Sequence, residues 1–284
     1  MKIQLIIFTL TFLSLSSFAQ EVDIHVYDNS PVKKSQLSIY FGWNRGFFSN
    51  STIHFKGTDY DFTLFDLKAK DKQTVFSIKE YFNLSKLTIP QTNMGAIYQI
   101  SDKTALSLNV DHMKYVVERG QETSIEGTIS SKYGVLNGTY ENEDITLSNN
   151  LLKLEHTDGL NYINFGYRRL LWEKSFLTHF GISIQSGGSA GFLLPKTNSE
   201  LLGKERNDEF HLSGYGVGLN SGVRLHIGKP LFIAFNGKGG FINMPNVRTT
   251  PDKNDKASQH FFFLQSNFLF GITIKLSSIK KPFN

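Results

Sequence analysis

Asn267, Leu269, Gly271, Thr273 and Lys275 alternate with Phe268, Phe270, Ile272, Ile274 and Leu276 in the last regular run of the chain. Successive side chains of a β-strand point to opposite faces, so this run has one wholly apolar face and one largely polar face. A strand that separates hydrocarbon from a polar interior needs that pattern. Several earlier segments repeat it, which makes a sheet lying between lipid and a polar lumen the leading expectation.

The beginning of the chain points to export. Met1 and Lys2 precede an apolar stretch over 3–13, and Ser17-Phe18-Ala19 stands before Gln20. One positive charge, a short apolar region and a small residue at the junction predict a signal peptide cleaved after Ala19. The apolar stretch is too short for a spanning helix, which takes about 20 residues. The chain has no cysteine, which excludes a lipoprotein anchor, disulfides and thiolate metal sites. About 265 residues remain after cleavage, enough for one barrel or two small domains.

Hydrophobic residues make up 40% of the chain and mean hydropathy is −0.22. No later segment approaches the length of a spanning helix, so a helical membrane protein is excluded. A β-barrel is not, because its alternating strands dilute the hydropathy signal. Twenty-five Phe and eleven Tyr suit lipid-facing strands and interfacial girdles. The formal charge of +5 comes from basic residues scattered among acids, which argues against a nucleic-acid partner. Surplus Lys and Arg suit lipopolysaccharide phosphates or a solvated surface.

Eight segments carry the strand pattern: 36–44, 88–100, 104–117, 154–169, 174–187, 210–227, 231–241 and 260–276. Tight turns at 101–103, 170–173 and 228–230 pair six of them into hairpins. Loops over 47–87, 118–153, 188–209 and 243–259 are long and rich in Gly, Ser, Asn, Asp and Lys. Short turns on the periplasmic side and long loops outside give an all-β, antiparallel up-and-down transmembrane barrel of eight strands over 36–276. It follows a signal peptide over 1–19 and a periplasmic tail over 20–35, and precedes a C-terminal tail over 277–284. Segments 60–67 and 74–82 are the material for a ten-stranded alternative. Asp59, Asp61, Asp66, Lys68, Lys70, Asp71 and Lys72 deny them a clean apolar face, so they are expected as a hairpin above the membrane.

The signal ending in Phe18-Ala19-Gln20, the glycine-rich strand Gly214-Tyr215-Gly216-Val217-Gly218-Leu219 and the aromatic last strand resemble the small outer-membrane barrels of the OmpA and OmpX type in Gram-negative bacteria. The resemblance covers 36–276 and is one of pattern. In that class the last strand usually ends the chain on an aromatic residue, whereas here Ser277 to Asn284 follow, with Phe283 penultimate. The resemblance implies an outer-membrane location.

Inward parity gives a polar lumen containing Asn44, Asn93, Gln99, Asn109, Asp111, Asn164, Arg168, His179, Gln185, Asn220, Arg224, His226, Asn236, Lys238, Gln265, Asn267 and Lys275. Eight strands leave an interior just wide enough for side chains to fill it. Asp111, Arg168, Arg224 and Lys238 are therefore expected to form a structural network with Asn164, Asn220, Asn236 and Gln265. Two weaker catalytic sets stand beside it. His211 and Ser213 are similar to the His-x-Ser pair of the outer-membrane lipid A deacylases, and strand parity would turn both toward lipid. Asp111 and His112, with Glu155, His156 and Asp158, are similar to the carboxylate and histidine sites of the omptin proteases.

No cofactor or metal site is expected, since the histidines lack ligand spacing. The expected partners are outer-membrane lipids, lipopolysaccharide and a surface partner outside the cell, met through the loops. The acidic second loop, with Glu118, Glu122, Glu126, Glu141, Glu143 and Asp144, suits a cation or a basic partner, or simply a soluble surface. A rim enzyme acting on lipid A or peptides and small-solute transport are the alternatives.

Overall fold

The computed structural model describes residues 32–83, 90–177, 180–207, 209–228 and 230–276. The predicted signal peptide and C-terminal tail, and His179, lie outside them. Fourteen strands follow one another: β1 (Gln36–Phe48), β2 (Ser51–Lys56), β3 (Tyr60–Leu67), β4 (Ala69–Asp71), β5 (Thr92–Ser101), β6 (Thr104–Val117), β7 (Glu122–Ile129), β8 (Gly138–Thr146), β9 (Leu152–Leu177), β10 (Phe180–Leu193), β11 (Asn198–Leu201), β12 (Gly214–Ile227), β13 (Leu231–Arg248) and β14 (Lys256–Lys275). A single-turn helix, α1 (Ile78–Tyr81), lies between β4 and β5.

Eight of these strands form a closed antiparallel ring in the order β1-β5-β6-β9-β10-β12-β13-β14. Pairing of β1 with β14, from Gln36↔Lys275 to Phe48↔Phe263, closes it. Closure pairs the backbone groups of every ring strand on both sides and leaves no sheet edge in lipid. Phe268, Phe270, Ile272 and Ile274 of β14 face outward and are exposed, as are Leu219 of β12, Phe165 of β9 and Leu108 of β6. Gln265, Asn267, Asn109, Asp111 and Asn164 point inward and are buried. An apolar exterior around a polar interior is the architecture of a transmembrane β-barrel.

Tyr40 and Phe232 also turn inward, and glycine makes their places. A Cβ at Gly95 would come within 2.6 Å of the Tyr40 hydroxyl, and one at Gly271 within 2.7 Å of the Phe232 ring.

The ring strands run further than the alternation predicts at the end that carries the long connections. β13 reaches Arg248, β14 starts at Lys256 and β9 starts at Leu152. The predicted turn at 170–173 is strand: Leu170 pairs with Gln185, Trp172 with Ile184 and Lys174 with Ile182. Its apolar and charged residues continue the β9–β10 ladder past the belt, with a register shift at Ile184/Gln185, and a bulge of that kind hides the strand from a strict period-two reading.

Above the belt a second sheet grows from the barrel wall. β2 pairs with the start of β14, Lys256↔Lys56 to Gln259↔Ile53, and the order continues β2-β3-β7-β8. Segment 60–67 is therefore a strand outside the ring, but its hairpin partner is β2 and not 74–82, which contains α1. Asp66 has φ of 52°, a left-handed value that Asp tolerates, at the irregularity between β2 and β3. Ile53, Phe55, Phe62 and Leu64 of this sheet share one apolar core with Tyr115, Leu154, Ile242, Met244, Phe261 and Phe263 of the ring strands. Tyr115 stacks on Phe261 at 4.8 Å between ring centroids, and Phe55 on Phe62 at 5.2 Å.

Candidate functional site in the lumen and at the long-loop end

Within the belt, Asp111 is the centre of the polar filling. β6 turns it inward, where it is buried and ion-paired with Lys238 of β13. The same carboxylate accepts from Asn164 Nδ2 at 3.0 Å and from Asn93 Nδ2 at 2.5 Å. Lys238 Nζ also donates to Asn164 Oδ1 at 3.1 Å and lies 4.6 Å from the centre of the Tyr162 ring. Asn93 reaches Gln265 Oε1 at 3.3 Å and accepts from Asn44. A buried charge pair is tolerable when its remaining hydrogen-bonding capacity is met, and these amides meet it.

The two arginines are placed differently from the expected single network. Arg168 donates to Ser107 Oγ and Asn109 Oδ1, each at 3.4 Å, and meets the Asp111 group only through the Asn109–Asn164 bond of 3.0 Å. Arg224 lies nearer the short-turn end, donates to Ser38 Oγ at 3.2 Å and covers the Phe232 ring at 4.1 Å. Among the described residues, neither guanidinium has a carboxylate within ion-pair distance. Asn220 and Asn236 are half-buried and do not join the Lys238–Asp111 group. The cavity between Arg168 and Arg224 has a volume of about 10 Å³, the size of one water. Ser107 shares the inward parity of Asn109 and Asp111, so period two alone would have found it. Tyr162, by contrast, is an aromatic among amides, and its hydroxyl donates to the Gly216 carbonyl at 3.0 Å.

The weaker catalytic sets are not brought together. Ser213 is buried, not turned to lipid, and its hydroxyl donates to the His211 carbonyl at 3.1 Å. His211 Nε2 instead meets Asn246 Nδ2 at 2.9 Å. The parity reading fails because 211–213 precede β12 and follow an irregular path, with His211 N bonded to Pro195 O and Ser213 N to Leu193 O. Burial, then the nearby Arg248, lowers the His211 pKa.

The second set lies on the paired strands β6 and β9, but its side chains are held by separate partners. His112 Nδ1 meets Asn161 Oδ1 at 2.7 Å, and His156 is fully buried against Thr197 Oγ1 at 3.1 Å. Glu155 accepts from Asn198 at 2.9 Å and Lys72 at 3.4 Å, while exposed Asp158 lies 3.6 Å from Lys196. No group of three His, Cys, Asp or Glu that could hold a metal ion occurs among the described residues.

The far tip of the upper sheet carries an open cleft of about 450 Å³ lined by Asp59, Tyr60, Asp61, Thr128, Ser130 and Asn137. Its acids are ion-paired: Asp59 with Lys132, and Asp61 with His54 at 2.6 Å and Lys56 at 2.9 Å. The His54 hydrogen bond, followed by that of Lys56, holds the Asp61 carboxyl below the usual carboxylate range. Among the described residues β8 ends the sheet order with its outer edge unpaired, and it exposes Glu141, Glu143 and Asp144.

No family model matches the chain, and no curated protein sequence does either. Among solved structures, the chain is similar to the outer membrane protein OprG from Pseudomonas aeruginosa, at 10% identity over 86% of this chain and 98% of that one, with a TM-score of 0.35. It is similar to outer membrane protein AlkL at 7% identity, over 92% and 99% of the two chains, with a TM-score of 0.40. Neisserial surface protein A is a third, at 9% identity over 84% and 97%, with a TM-score of 0.31. What the strands themselves establish is an eight-stranded barrel of the outer-membrane type.

Proposed function

We propose that this chain is an outer-membrane protein whose barrel is a rigid mount for a folded surface-binding sheet outside the cell. The observation that carries this reading is the contrast between a side-chain-filled interior and the β2-β3-β7-β8 sheet, which is fused to the wall through β14 and through a common apolar core. A filled lumen favours this role over solute transport. The geometry of His211, Ser213 and His156 favours it over rim hydrolysis, since the Ser213 hydroxyl meets the His211 carbonyl and not its ring, and His156 is fully buried against Thr197.

The partner-binding element is the β7–β8 hairpin. An unpaired strand edge can accept an extended segment by backbone hydrogen bonds, and five exposed acids, Glu122, Glu126, Glu141, Glu143 and Asp144, line this hairpin. A basic, extended segment of a surface partner is the complementary chemistry. An epitope tag inserted at Gly138 is expected to be read on intact cells. Labelling only after permeabilisation would place the sheet in the periplasm and overturn the orientation. With the orientation established, loss of binding of a Lys/Arg-rich peptide on replacing 121–147 by a short turn tests the hairpin itself.

A further inference from the structure

The segment between β4 and β5 presents an apolar surface that the sheet and core do not use. Val75 is 86% exposed, Phe76 65%, Ile78 73% and Phe82 60%. Ile78 and Phe82 lie four residues apart across the single turn of α1, and Val75 and Phe76 are exposed on the non-helical stretch just before its cap, Ser77. Large apolar side chains clustered in this way mark an interaction surface.

The segment is tied to the outside of the barrel wall. Asp71 accepts from Gly46 N at 3.0 Å and from the Gln91 side chain, fastening β4 to the stretch of β1 that β5 does not reach. Ser77 Oγ caps the turn through Glu80 N, and the Tyr81 hydroxyl donates to Thr74 O at 2.8 Å and accepts from Arg45 at 3.3 Å. Tyr81 and Phe82 lie 5.6 and 5.2 Å from Trp43. Trp43 in turn contacts Phe268 at 6.4 Å and Phe270 at 5.4 Å, within the lipid-facing row of β14. The aromatic surface is therefore continuous from the belt to the segment.

We infer that 74–82 is an interfacial anchor, inserted through Val75, Phe76, Ile78 and Phe82 into the lipid leaflet at the long-loop end. This rests on the reading of the ring as a membrane barrel. Continuity with the belt identifies the occupant as lipid. The neighbouring Lys72, Gln73 and Lys79 are exposed and suit the headgroup layer, Lys79 by extending its stem past apolar neighbours.

Because the chain has no cysteine, single labels can be placed cleanly. Ile78→Cys and, separately, Phe76→Cys would carry bimane in the full-length protein, in phosphatidylcholine nanodiscs doped with nitroxide-bearing phosphatidylcholine. Leu219→Cys in the belt and Glu141→Cys on β8 serve as references. The labels at 76 and 78 are expected to be quenched by nitroxide lipid as the label at 219 is, and to be protected from aqueous iodide. If both instead follow the label at 141 while that at 219 stays quenched, the anchor is overturned and the barrel stands. If the label at 219 also escapes the lipid quencher, the membrane-barrel reading fails and the anchor with it.

Discussion

The inward face of β14 changes its chemistry partway along the strand. Near the long-loop end, Phe261 and Phe263 point inward into an apolar core, while His260 faces out and is exposed. Further along, Gln265 and Asn267 point inward into the amide and charge layer, and Phe268 and Phe270 face out. The geometry of the wall is the same in both regions and only the surroundings differ. Where water lies outside, apolar groups gain by turning in. Where lipid lies outside, turning in gains them nothing, and the polar residues collect inside to satisfy one another. The molecule is thus a water-soluble β-structure stacked on a membrane one, with shared strands.

Four experiments would break or sharpen this contrast. The largest effect is expected at the polar layer. Asp111→Ala leaves Lys238 buried without its carboxylate and should destabilise the barrel by about 3 to 5 kcal/mol, read as urea unfolding in lipid vesicles. Adding Lys238→Met should restore much of the loss, and a single variant as stable as the parent would show that the layer is not a charge-paired unit. Next, Leu64→Ala empties part of the upper core and should cost about 2 to 5 kcal/mol. If the two regions are separable, the cap will melt at a lower temperature while the barrel keeps its heat-modifiable mobility on gels; one shared transition would make them a single cooperative unit.

On the outer face, Phe270→Arg should cost about 2 to 4 kcal/mol near the middle of the bilayer, whereas the same change at exposed His260, above the belt, should be close to neutral. Equal costs at the two positions would remove the boundary drawn here. The smallest effect belongs to the tip. Asp61 is held low by His54 and Lys56, so its pairing stabilises above the ordinary carboxylate pKa and is lost as pH falls through the lowered value. With both Asp61 and His54 nearly half exposed, the contribution is at most about 1 kcal/mol. Hydrogen-exchange protection factors of the β2–β3 turn, taken relative to the intrinsic rate at each pH, should fall on acidification and in Asp61→Asn at neutral pH, and unchanged protection in both would leave the pair without a structural role.

Period-two alternation was enough to place the eight ring strands, the inward parity of Asp111, Asn164 and Lys238, and the outward row of Phe268 to Ile274, because side-chain direction in a strand is a local property. It also showed that 60–67 stands outside the ring, since its charges spoil an apolar face. Alternation stopped being informative beyond the membrane boundary. Residues 152–153, 188–193, 243–248 and 256–259, which extend β9, β10, β13 and β14, read as loop, whereas 113–117 and 260–263, where the inward face turns apolar, still read as strand. It also misled at 211–213, where the backbone leaves the strand path and Ser213 turns into the protein.

The sequence by itself determined a membrane barrel with a polar filling, since the pattern of each strand states which face meets lipid. Only the tertiary structure decided the partners: that Asp111 meets Lys238 while Arg224 meets Ser38 and a ring, that β2 joins β14, and that α1 lies on Trp43. Those pairings depend on the register between strands and on the heights of side chains around a closed ring. Both are set by contacts between residues far apart in the chain, such as Lys238 and Asp111, whose separation no local pattern encodes.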